Sequence, residues 1–117
     1  MAITEATEAD LAEMRKQLGR PMRDVLGVAA RCVCGKPLVV QTKPRLSSGE
    51  PFPTFYYLTH PATSGLLSGL EAEGFMAELQ ERLGSDSELS QAYLLAHEAY
   101  LAEREALGHV EELVGIS

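Results

Sequence analysis

Residues 30–61 read ARCVCGKPLVVQTKPRLSSGEPFPTFYYLTHP, and this stretch holds both cysteines, five of the six prolines and most of the aromatic residues. Its punctuation decides the fold. Cys34-Gly35-Lys36-Pro37 is a turn, because glycine tolerates the backbone angles a tight reversal needs and proline cannot donate to a strand ladder. The apolar run Val25–Ala30 before it and Leu38–Thr42 after it then read as two antiparallel strands of a hairpin. Val25–Ala30 is nearly all apolar, which predicts a central strand buried on both faces. Pro44, Pro51 and Pro53 with Ser47, Ser48 and Gly49 forbid a helix and leave a geometrically restricted loop. Phe55–Thr59 has strand propensity and supplies a third strand.

Outward from this stretch the chain is helical. Thr7 with Asp10 offers an N-cap, Leu11, Met14 and Leu18 share one helical face, and Gly19 and Pro21 stop the helix, so a first helix is expected over residues 7–18, laid across the sheet. Pro61 suits the first position of a second helix, with Leu66, Leu67 and Leu70 facing the core and Gly74 ending it. Phe75–Leu83 forms a short third. Ser85-Asp86-Ser87-Glu88 reads as a capping box for the longest helix, to about Ala106, with Leu89, Ala92, Tyr93, Ala96 and Tyr100 as its buried stripe. The fold class is α+β: a small, mainly antiparallel three-stranded sheet packed by about four helices, one domain over residues 1–117.

Composition sets limits on function. The formal charge of -7, from 17 acidic and 10 basic residues, argues against nonspecific binding to nucleic acid or anionic lipid. No apolar run approaches the ~20 residues of a membrane helix, and the acidic N-terminus is unlike a secretory signal, so a cytoplasmic protein without membrane insertion is expected. The span 20–45 is nevertheless cationic, with Arg20, Arg23, Arg31, Lys36, Lys43 and Arg45 against Asp24 alone. It suits an anionic ligand or an acidic partner, or is neutralised by the chain's own acidic helices, the reading placed first.

Cys32 and Cys34, one residue apart at a turn, resemble a zinc knuckle with shortened spacing; His60 would be a third ligand and His97 a fourth. The commoner reading of two such cysteines is as small buried hydrophobes, and a disulfide between them is not expected as a structural bond. Arg31 and Lys36 flank the pair and would favour a reactive thiolate. Arg45, on a stiff loop, is the best candidate for gripping a carboxylate or phosphate, with Glu50 its expected partner within the chain. Tyr93, His97, Tyr100 and Arg104 lie along one side of the last helix, and a pocket there would use Tyr93, Tyr100 and Arg104 as ligand contacts.

The runs Arg31-Cys32-Val33-Cys34-Gly35, Pro44-Arg45-Leu46, Gly49-Glu50-Pro51-Phe52-Pro53-Thr54 and Tyr57-Leu58-Thr59-His60-Pro61, with Ala96-His97 and Tyr100-Leu101, resemble the bacterial DUF501 family over about Leu18 to Leu107. The resemblance implies no established activity. It implies a cysteine at many relatives' equivalent of His60, and a gene context of a septum-formation initiator and an exopolyphosphatase-like enzyme, hence a cell-division or polyphosphate setting. The expected function is a ligand- or partner-binding module organised around Arg31–His60; its cofactor is unknown, and zinc is the metal that a Cys/His site there would take. The alternative is a small cysteine- or metal-dependent enzyme acting on a phosphate- or carboxylate-bearing substrate.

Overall fold

A computed structural model describes residues 2–116. Helix α1 (Glu8–Leu18) starts where expected: Thr7 accepts the Asp10 amide, and the Asp10 carboxylate accepts the Thr7 amide in return. Such reciprocal capping satisfies two amides that the first helical turn leaves unbonded. Gly19 closes the helix at φ 72°, a left-handed conformation that glycine adopts without a Cβ penalty.

Strands β1 (Val25–Arg31), β2 (Pro37–Thr42) and β3 (Tyr56–Leu58) form one antiparallel sheet in the order β1-β2-β3. The central strand is therefore β2, and not the Val25–Ala30 run. The free edge of β1 is occupied by the N-terminal segment, with Thr4 and Val28 exchanging both backbone hydrogen bonds, at 2.9 and 2.8 Å. Met14 of α1 packs on Val28 and Val40 to form the core, flanked by Ala6, Met22, Val25 and Tyr57.

Helices α2 (Pro61–Ala72), α3 (Phe75–Ser85) and α4 (Ser87–Leu107) follow, and a 3-10 turn, Glu111–Leu113, ends the described chain. Asp86, and not Ser85, caps α4, accepting the amides of Glu88 and Leu89 at 3.1 Å. The C-terminal half of α4 is tied to the sheet. Tyr100 stacks on the fully buried Phe55 with centroids 4.6 Å apart, and Tyr56 donates to Glu103 at 2.6 Å.

The rest of the helical region stands away from the sheet. Helix α2 contacts α3 and α3 contacts α4, yet neither α2 nor α3 buries a single residue. The expected core positions Leu66, Leu67 and Leu70 are exposed, as are Ala92, Tyr93 and Ala96 of the expected α4 stripe, while Leu89 is half-buried. Nothing among the described residues buries these faces: α1 lies on β2, and α4 meets the sheet region through Tyr100 on Phe55 and Glu103 on Tyr56. The radius of gyration, 15.9 Å, exceeds the roughly 13 Å of a compact chain of this length.

Candidate functional site

Half of the six basic residues in the cationic stretch are neutralised from within. Arg31 donates two hydrogen bonds to the two oxygens of Asp10, at 2.7 and 2.9 Å, and a third to the Gly35 carbonyl at 3.0 Å. The fork of Arg31, with the Thr7 hydroxyl and amide, holds the Asp10 carboxyl well below the usual carboxylate range. Lys36 lies 3.5 Å from Glu13. Arg45 grips Glu112 with both bonds at 2.8 Å and donates to the Gly49 carbonyl, so its partner is 67 residues away in sequence and is not Glu50. Its hydrogen bond draws the Glu112 carboxyl downward. Three of the cations assigned to an anionic ligand are thus each paired with a carboxylate of the chain itself.

The loop carrying Arg45 is set by Asp24, the one non-glycine residue with a positive φ among the described residues, at 56°. The Asp24 carboxylate accepts both the amide and the hydroxyl of Ser47. Arg20 and Arg23 border a neighbouring cleft of about 540 Å³ with Met22, Leu46, Phe52 and Tyr57, and Arg20 reaches the Tyr57 hydroxyl at 3.4 Å.

Cys32 and Cys34 are joined as a disulfide at the tip of the β1–β2 hairpin, which corrects the expectation against such a bond. The turn brings both side chains to one side while the Cys32 amide donates to the Lys36 carbonyl and the Gly35 amide to the Cys32 carbonyl, each at 2.9 Å. The pair is not buried as small hydrophobes either: Cys34 is exposed and Cys32 half-buried. His60 stands at the N-cap of α2 without a capping bond, in a cleft shared with Glu13, Gln17 and Lys36. There His60 Nδ1 and Gln17 Oε1 are both buried without a partner. His97 lines a different cleft, with Tyr93, Tyr100, Pro53 and Thr54. Among the described residues no three His, Cys, Asp or Glu side chains are gathered as a metal ion would need, so Cys32, Cys34, His60 and His97 do not form one site.

The α4 stripe divides by role. Tyr93 is 61% exposed. Tyr100 accepts the Phe55 amide at 3.3 Å and donates to the Pro53 carbonyl at 3.2 Å. Arg104, only 6% exposed, donates to the carbonyls of Pro53, Leu113 and Ile116. Tyr100 and Arg104 are therefore clamps that fasten the proline loop and the C-terminal turn to α4, and are not free ligand contacts.

A model of the family described as "Protein of unknown function (DUF501)" matches residues 28–116. The chain belongs to the DUF501 family. No curated protein and no solved structure matches it. The matched region of this DUF501 chain begins within β1 and spans the rest of the sheet, the disulfide hairpin, the proline loop and the whole helical arm. No helix among its described residues is long and apolar enough to cross a membrane.

The surface to which no single motif points is that arm. Leu66 is 72% exposed, Met76 63% and Leu95 58%, and Leu67, Leu70 and Leu94 are also open to solvent. The signal was present in Gly65 and Gly69, four apart in α2. Glycine weakens a helix by roughly 1 kcal/mol relative to alanine, and nothing stands within 4 Å of where either Cβ would be. The DUF501 chain itself gives no packing reason for either glycine.

Proposed function

We propose that this chain is a partner-binding module whose docking surface is the arm α2–α3–α4, and that its occupant is a cationic amphipathic helix of another protein. The observation that carries the reading is the set of uncovered leucines on α2 and α4, since soluble chains seldom leave so many large apolar side chains open on adjoining helices unless a partner covers them. Gly65 and Gly69 support it, because two small residues four apart let a second helix approach closely.

Charge selects the occupant. Residues 61–103 contain eight acids and one base, Arg82. A second copy of the same arm would bring two acidic surfaces together, whereas a basic helix with an apolar face would satisfy both the leucines and the carboxylates. The earlier expectation of partner binding is kept, but its seat moves from Arg31–His60 to the arm, because Arg31, Lys36 and Arg45 already have carboxylate partners.

The test is calorimetric titration with a Lys/Leu amphipathic peptide of about five helical turns, beside a Glu/Leu peptide of the same pattern. The basic peptide is expected to bind with micromolar affinity, weaken with salt, and shift the amide resonances of α2 and α4. Leu66→Ser combined with Leu70→Ser should abolish the binding. Absence of binding by the basic peptide, equal binding of both peptides, or dimerisation of the chain through the arm in sedimentation would overturn the proposal.

A further inference from the structure

The Cys32–Cys34 bond has a place in the fold that a structural staple would not need. It closes a loop with a single residue between the cysteines, and so short a loop removes little chain entropy. The turn it spans is already closed by the Cys32–Lys36 and Gly35–Cys32 backbone hydrogen bonds. The bond is also reachable, since the intervening Val33 is fully exposed and Cys34 is exposed beside it.

The two sulfurs are not equivalent. The Cys34 amide donates to Cys32 Sγ at 3.2 Å, a bond that strengthens when that sulfur carries negative charge. Cys32 is the more enclosed of the two and Cys34 the more open. Attack on Cys34 therefore leaves Cys32 as the stabilised thiolate.

We propose that the hairpin tip is a thiol–disulfide exchange site that oxidises a dithiol on a protein substrate, with Cys34 as the sulfur attacked and Cys32 as the leaving group. One substrate thiolate attacks Cys34 Sγ, the Cys32–Cys34 bond breaks, and its electron pair departs on Cys32 Sγ. The second substrate thiolate then attacks the substrate sulfur of this mixed disulfide and expels the Cys34 thiolate. The substrate loses two electrons and gains a disulfide. Cys32 and Cys34 gain those electrons and take up the two protons that the substrate thiols release, becoming a dithiol. A disulfide of low molecular weight, such as oxidised glutathione, reverses the change and restores the hairpin by the same exchange. The exchange uses neither the leucines nor the glycines of the arm, and its failure leaves the docking proposal untouched.

The test begins with metal-free, oxidised protein exposed briefly to reduced glutathione, quenched in acid, alkylated and mapped by mass spectrometry. Glutathione is expected on Cys34, with Cys32 alkylated, in roughly tenfold excess over the opposite isomer, because the better-stabilised thiolate leaves faster. A double variant, Cys32→Ser with Cys34→Ser, should lose oxidation of a reduced two-cysteine peptide while melting at nearly the wild-type temperature. Four results would overturn the proposal: a disulfide that survives glutathione, adducts mainly on Cys32, a large fall in melting temperature in the double variant, or purified protein holding zinc that the double variant releases.

Discussion

Arg31 and Asp10 face each other across the edge of the sheet through two nearly parallel hydrogen bonds, joining the last residue of β1 to the first turn of α1. Asp10 is buried and also caps its helix, so one carboxylate holds the helix start and fastens that helix to the sheet. Asp10→Asn and Arg31→Met are each expected to lower stability by about 2 kcal/mol, because each leaves the other partner without its charged bond. The double variant should lose less than the sum, and a double-mutant cycle by urea unfolding measures the difference.

The same pair sets a pH dependence. The Asp10 carboxyl is depressed in the folded chain, chiefly by the Arg31 bond, so the unfolded state binds its proton more readily. The contribution is fully present above the ordinary aspartate value of about 4 and is lost progressively as pH falls below it toward the depressed folded-state value. Urea midpoints of the wild type and Asp10→Asn should therefore converge on acidification. A gap that stays constant down to the acid transition would remove Asp10 as its source.

What the sequence made legible was local. The reversal before β2, the Thr7–Asp10 cap and the stop at Gly19 depend on neighbours within a few residues; the cap and the stop fall where expected, while the turn closes at Cys32–Gly35 and Pro37 already opens β2. Pairings across the chain were not legible. Glu50 was the near candidate for Arg45, but the carboxylate in reach is Glu112, brought there by the turn after α4. Periodicity in α2 and α4 identified an apolar face without identifying what covers it, since spacing reports only that one side avoids water. The edge of β1 was hidden for a related reason: Thr4 pairs with Val28 along it, a contact no local pattern carries. Spacing alone therefore reads the exposed leucines of α2 as core, whereas charge alone already favours arginines neutralised by the chain's own carboxylates.

Gly27 is the residue that permits that Thr4 contact. A Cβ at this position would stand 2.5 Å from Ile3 Cγ2 and 2.7 Å from the Thr4 carbonyl oxygen. The isoleucine can rotate away, but the carbonyl belongs to the backbone that pairs with Val28. Gly27→Ala is expected to displace the N-terminal segment at a stability loss of about 1–3 kcal/mol. Hydrogen exchange should quicken at the Thr4 and Val28 amides, and unchanged protection there would refute the role given to Gly27.

Arg104 offers a comparable test at the other end. Its fork spans three carbonyls from two separate segments, a geometry that an ammonium cannot reproduce. Arg104→Met should cost about 3 kcal/mol and expose the C-terminal turn to proteolysis. Arg104→Lys should recover little of that loss. Tyr100→Phe removes a donor to the same Pro53 carbonyl and should cost about 1 kcal/mol, leaving the turn protected. Full rescue by lysine would reduce the clamp to a simple charge effect.

Gly65 and Gly69 separate the needs of the free chain from those of the bound one. Both lie inside α2, with open space where a side chain would project, so alanine meets no steric obstacle in the isolated protein. Gly65→Ala and Gly69→Ala are each expected to stabilise the free chain by roughly 0.5–1 kcal/mol through helix propensity and a less flexible unfolded state. If a second helix approaches α2 at these positions, the added methyl groups hold it away, and affinity for the basic amphipathic peptide should fall at least severalfold as thermal stability rises. Opposite signs in the two measurements separate a surface shaped for contact from a helix that merely tolerates glycine. A gain in stability with unchanged affinity would place the peptide elsewhere on the arm.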